Sequence, residues 1–239
     1  VRLSRSATML SVVVSVCLLS VDSVKAIEVF PIIKEVKSNS PRDNYLTVKS
    51  NFQVSTDDTN TNSDSQQYEF VTLELYSVIN PGFEKERLEK VLTQEDPEII
   101  YSPSRMVVPY GEERKVRLMP LKAVDVEKVY RLRIRPSYPE HEIDKGKVRF
   151  AIGYDVLLRY LPEGKHTTGV AIRCNGDNWE ISATGNVRSE LRNLVIDGRK
   201  DKVNFNVYPT SNRSLHVKHN LAFEMDKTTY RYQDCRLKE

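Results

Sequence analysis

The chain is predicted to be all-β, built as two β-sandwiches in tandem. Three observations carry this. Apolar and polar residues alternate with a period of two along most of the chain, which places successive side chains on opposite faces of extended segments. Turn signals separate these segments at roughly the 8–12-residue spacing of sandwich proteins. A breaker cluster, Pro162-Glu163-Gly164-Lys165, divides the 239 residues into a longer and a shorter part.

The first 26 residues stand apart. Arg2 and Arg5 begin them, an apolar run fills 9–19, and Val24-Lys25-Ala26 offers a small-residue cleavage site. These are the parts of a secretory signal peptide, with an apolar run too short for a membrane span. Removing that segment brings the formal charge of +3 close to neutral, so the mature chain has no whole-molecule attraction for nucleic acid or for an anionic membrane. With 39% hydrophobic and 29% charged residues it is a globular protein rather than a disordered or membrane-embedded one.

From Ile27 the strands follow one another. IEVFPIIKEV (27–36) is interrupted by Pro31, which argues for an edge or a bulge. NYLTVKSNFQV (44–54) alternates cleanly, the polar stretch 55–67 reads as a solvated hairpin tip, and YEFVTLELYSVIN (68–80) stops at Asn80-Pro81-Gly82. The charged stretch 83–94 is read as irregular strand and loop. Residues 99–118 give two short strands punctuated by Pro103 and Pro109-Tyr110-Gly111, and VYRLRIRPSY (129–138) gives another. Last comes KVRFAIGYDVLLRYLP (147–162), with Val148, Phe150, Ile152, Tyr154, Val156, Leu158 and Tyr160 on one face. Fully extended it would run roughly 45–50 Å, more than twice the usual strand. A strand that long either crosses a large sheet or carries its apolar face beyond its own domain. Residues 27–162 therefore form an immunoglobulin-like sandwich. VAIRC, WEISAT, RNLVI, KVNFNVY, SLHVKH and TTYRYQDCRL build a smaller one from 163–239.

No active site is legible. There is no GxSxG, CxxC or phosphate-cradling glycine loop. His216 and His219, three apart, fall on opposite faces of a strand and make a poor metal pair. No enzyme, cofactor or metal is expected. Cys174 and Cys235 either pair in an oxidising compartment, closing a loop of about sixty residues, or remain as two buried thiols; pairing is the expectation.

Four stretches, FPIIKEVK (30–37), YSVINPG (76–82), SPSRMVVPYGEERKVRL with DVEKVYRLRI (102–118 and 125–134), and VRFAIGYDVLLRYLP with TGNVR (148–162 and 184–188), carry a resemblance. Together they make the chain similar to the periplasmic chaperones of the chaperone–usher pilus pathway, in particular those of the coli-surface-antigen and colonisation-factor fimbriae. The resemblance implies a boomerang of two immunoglobulin-like domains in the periplasm. Its partners are fimbrial subunits and an outer-membrane usher, and a free molecule can associate with itself to hide its strand. Such a chaperone completes a pilin that lacks its last strand, here by inserting Val148, Phe150, Ile152 and Tyr154. The family also holds the pilin's C-terminal carboxylate with two basic residues. The first matches Lys34. The shared lysine position of the second falls on Leu157, and Arg159, two residues on and so on the same face, takes its place. Glu127 matches an acidic residue that fixes the domain angle in relatives, where its arginine partner occupies the position of Leu161 here.

An exported adhesion or carbohydrate-binding module is the alternative. Such sites cluster exposed tryptophan and tyrosine or acidic metal loops, whereas the single Trp179 lies in a strand-like run. A pilin is a third reading, set against the full strand count of each sandwich.

Overall fold

The structure, a computed structural model, describes residues 27–51, 68–137, 152–202 and 204–238. The expected signal peptide, the 55–67 hairpin tip and the donor positions Val148 and Phe150 lie outside the described residues. Among the described residues all regular elements of any length are strands, and the two helical segments are three-residue 3-10 turns. Among the described residues no helix is long and apolar enough to cross a membrane.

Among the described residues, ten strands build the first pair of sheets: β1 (Ile27–Phe30), β2 (Ile33–Lys37), β3 (Tyr45–Ser50), β4 (Tyr68–Val78), β5 (Leu88–Lys90), β6 (Ile99–Ser102), β7 (Arg105–Pro109), β8 (Glu113–Pro120), β9 (Lys128–Pro136) and β10 (Tyr154–Leu161). One sheet runs β1-β3-β8-β6. The other runs β2-β10-β9-β4-β5, with β7 also on β4. The prolines do more than interrupt. After Pro31 the chain leaves β3 and reappears as β2 on the opposite sheet, parallel to β10. After Pro103 it passes likewise from β8's side to β4's, so 99–118 holds three strands where two were expected. Proline lacks the N–H that a ladder requires, so these are the points at which a strand can change sheets. Between the sheets lies one core, with Val36, Leu46, Val48, Val116, Leu132, Ile134, Val156, Leu158 and Tyr160 all without exposed surface.

Nine strands build the second pair: β11 (Val170–Asn175), β12 (Asn178–Ala183), β13 (Ser189–Ile196), β14 (Arg199–Lys200), β15 (Phe205–Val207), β16 (Asn212–His216), β17 (Asn220–Met225), β18 (Thr228–Gln233) and β19 (Arg236–Lys238). They form a sheet β11-β12-β16 and a sheet β14-β13-β17-β18-β19, with β15 on β13. Strand β17 is not among the expected ones, because its Asn, Ala and Glu are poor strand formers. Leu221, Phe223 and Met225 nonetheless alternate into the core. TTYRYQDCRL is a hairpin rather than one strand. Its turn residues Asp234 and Cys235, like Asp226 and Lys227 of the preceding hairpin, take positive φ, as two-residue turns of this hand demand.

Cys174 on β11 and Cys235 in the β18–β19 turn are joined by a disulfide across a sequence separation of 61, which ties the two sheets together. Asp197, in the β13–β14 turn, accepts backbone N–H bonds from Lys218, His219 and Asn220 at 2.8, 2.8 and 2.9 Å. The Asn220 bond and then the other two pull its pKa from 3.8 to about 2. A depressed carboxylate stabilises the fold above its unfolded value and loses that contribution as pH falls through the folded value. The melting-temperature advantage of wild type over Asp197→Asn is therefore expected to be full at pH 5 and to shrink between pH 4 and pH 2. A pH-independent difference would refute this.

Candidate functional site

The long apolar row divides in two. From Tyr154 onward it belongs to the molecule's own core, because β10 sits inside a sheet between parallel β2 and antiparallel β9. Val156, Leu158 and Tyr160 are fully buried. Tyr154 packs against the same core, and its hydroxyl donates to the Ile27 carbonyl at 2.8 Å. Ile152, just before the strand, is 45% exposed. Of the two described donor positions, one is therefore available at the surface and the other is engaged internally. Phe30, Ile32 and Ile33, around the β1–β2 crossover, are exposed large apolar side chains as well, and the Leu157 N–H bonds the Ile32 carbonyl.

Lys34 and Arg159 do not share a face. In the parallel register Lys34 lies beside Leu158 and Val36 beside Tyr160, both fully buried, whereas Glu35 lies beside Arg159. Side chains at neighbouring positions of a ladder point the same way. Lys34 thus points to the inner side of its sheet, where its ammonium stands 5.8 Å from the Tyr45 ring centroid. Arg159 points to the outer side, toward the second sandwich.

There Arg159 meets Glu127, which has no exposed surface. Arg159 Nη2 donates to Glu127 Oε1 at 2.6 Å and Nε to Oε2 at 3.3 Å; Nη1 donates to Glu35 Oε1 at 3.0 Å. Burial pulls the guanidinium pKa down, but the bonds and charge of Glu127, with the charge of Glu35, outweigh it and hold the group above the usual arginine value. Glu127 also reaches the second sandwich. Its carboxylate accepts the Arg188 N–H at 3.3 Å, and its own N–H donates to the Asn186 carbonyl at 2.8 Å. The arginine partner of Glu127 is therefore Arg159, and Leu161 at the expected position is buried. Arg159, named from the sequence for the carboxylate anchor, is thus the residue that pairs with Glu127.

Further contacts join the sandwiches. Val78 and Val129 pack on Tyr208, with Leu88 and Leu157 beside them. Gly82, at φ +90, approaches so closely that a Cβ there would lie 2.8 Å from the Asn206 carbonyl oxygen. Both Gly82 and Asn186 belong to stretches singled out in the sequence, but the residues they meet are not legible there. A cavity of about 360 Å3 opens beside this junction, lined by residues including Glu98, Lys128 and Thr210. Its Glu98 is already bound by Lys128 at 2.5 Å and by the Tyr130 hydroxyl at 3.1 Å.

No protein-family model matches the chain. Among characterised proteins it is 25% identical over 183 residues to a CFA/I fimbrial protein of Escherichia coli named as a fimbrial subunit, covering 70% of this chain and 76% of that protein. It is 28% identical over 165 residues to a CS1 fimbrial protein of Escherichia coli, likewise named as a fimbrial subunit, covering 62% and 69%. Among solved structures it matches the class 5 fimbriae chaperone CfaA with a TM-score of 0.66 at 20% identity, covering 89% of this chain and 99% of that one. A chain from a chaperone–tip adhesin complex of CFA/I fimbriae biogenesis gives a TM-score of 0.65 at 21% identity, covering 89% and 98%. The CsuC–CsuE chaperone–tip adhesion complex of archaic chaperone–usher Csu pili from Acinetobacter baumannii gives 0.52 at 15% identity, covering 81% and 91%. The chain shares the two-sandwich fold of these chaperones.

Proposed function

We propose that the chain is a periplasmic, non-enzymatic chaperone that caps fimbrial subunits through strand addition and hands them to an outer-membrane usher. Residues 27–162 act as the donor-strand domain and 163–239 as the smaller domain. Val148, Phe150 and Ile152 supply the inserted side chains, and Arg159, with Lys34 contributing from the other face of the sheet, meets the pilin's terminal carboxylate. The observation that carries this reading lies at the start of β10. Ile152 is exposed, yet it leads directly into a strand locked between two neighbours by a buried apolar row. A strand presented to a partner needs such a fixed root, because ordering a free segment on binding costs affinity.

The names of the two Escherichia coli relatives favour a second reading, a structural component of the fimbria. Such a pilin lacks its last strand. Here β10 occupies the place between β2 and β9 that a missing strand would leave open, which supports the chaperone. Co-purification from a periplasmic extract separates the two. A chaperone brings down a pilin at one-to-one stoichiometry, whereas a structural component is recovered in oligomers of itself.

In that complex Phe150→Ser is expected to weaken capture roughly 10- to 100-fold, the equivalent of about 1.5–3 kcal/mol of lost burial. Arg149→Ser, on the alternate face, should leave affinity near wild type. Equal losses at the two positions, or loss of thermal stability in the free Phe150→Ser protein with binding preserved in its folded fraction, would overturn the donor assignment.

A further inference from the structure

We propose that Glu35 is the chain's own stand-in for the guest carboxylate: it occupies Arg159 in the free protein and is displaced when a pilin's C terminus arrives. The proposal rests on the chaperone reading above and concerns the regulation of its anchor.

The two carboxylates on Arg159 are not equivalent. Glu127 has no exposed surface, grips the guanidinium through both oxygens, and is bonded in addition to the Arg188 N–H. It cannot leave without stranding a buried charge. Glu35 makes one bond, to Nη1 at 3.0 Å, and its side chain is 49% exposed. It can swing into water at small cost, since exposed ion pairs contribute little. The Arg159 side chain is itself only 12% exposed, and of its two carboxylate partners only Glu35 is open to solvent, so it is the one an incoming carboxylate can replace. A guanidinium presents several N–H groups in a plane and suits paired carboxylate recognition. Exchanging one exposed carboxylate for another leaves the buried Glu127 pair intact, so the contact between the sandwiches survives the exchange. A C terminus with its charge removed has nothing to offer in return for Glu35. The exchange therefore lowers the affinity for a free carboxylate, and with it the margin over a C terminus whose charge has been removed.

The test uses the full mature chain and a peptide copying the last strand of the pilin that co-purifies with it, synthesised as free acid and as C-terminal amide. Glu35→Gln is expected to bind the free acid about two- to five-fold more tightly than wild type, the equivalent of about 0.4–1 kcal/mol for a removed surface pair, with the amide unchanged. Glu89→Gln, the same charge change at an exposed position away from Arg159, should alter neither. If Glu35→Gln leaves the free acid unchanged or weakens it while wild type still prefers acid over amide, Glu35 is not the stand-in and the anchor stands. Equal tightening of acid and amide would also overturn the proposal, as a general charge effect. If wild type binds acid and amide alike, the carboxylate anchor itself fails, and this proposal with it.

Discussion

Replacing Arg159 by alanine is expected to destabilise the free protein by about 3–5 kcal/mol, the cost of leaving one partner of a buried ion pair behind. Glu127 has no exposed surface and loses its two Arg159 bonds at once, keeping only the Arg188 N–H. From sequence alone Arg159 is a surface anchor whose removal spares folding; its pairing with Glu127 makes it structural as well. Glu127→Gln alone should cost less, because an amide oxygen can still accept from Arg188. The double variant should recover part of the loss, with a coupling of about 0.5–3 kcal/mol, since removing both charges leaves none stranded. Denaturant titration of the four proteins measures this cycle. Additive single losses would show that the two groups do not act on each other. Lys34→Ala, lacking any such buried partner, should leave folding nearly unchanged, which makes it the cleaner probe of pilin capture.

Reducing the Cys174–Cys235 bond is expected to lower the stability of the second sandwich by about 4 kcal/mol on the chain-entropy estimate. The bond closes a separation of 61 residues and so spans most of that sandwich, from its first strand to its last turn. It joins an edge strand of the smaller sheet to the far hairpin of the larger, two elements with no ladder between them. A domain of this size buries a limited core and gains proportionately from such a staple. Unfolding followed by Trp179 fluorescence, which reports the second sandwich alone because Trp179 lies in its core, should shift to lower denaturant on reduction or in a Cys174→Ala/Cys235→Ala variant. A Trp179 transition that does not move would refute the estimate. If the whole loss appeared in the first sandwich instead, the staple would have been placed wrongly.

Much of this architecture is legible because a strand records its own two faces. The alternation of Val71, Leu73 and Leu75 in β4, of Leu132 and Ile134 in β9, and of Val156, Leu158 and Tyr160 in β10 can be read without a partner, and all of these residues are buried. The pairing of Cys174 with Cys235 is legible for a similar reason, since it needs no register. Strand β17 escapes because its polar and small residues mask the same alternation, and tertiary burial of Leu221 and Phe223 overrides their weak propensity.

What the sequence alone determined, then, was the all-β class, the apolar row of the long strand and the candidate residues along it. What the tertiary structure decided was which residues meet. A strand's periodicity says that Lys34 goes with Val36 and that Arg159 goes with Leu157, but the relative sense of the two sets depends on the parallel register between β2 and β10. That register is set by strands more than a hundred residues apart, joined only after the chain has changed sheets at Pro31. The same distance hid the partner of Glu127. Its position is fixed by the packing of Arg159, Arg188 and Asn186 from separate segments, and no local pattern in any one of them encodes where the others come to rest.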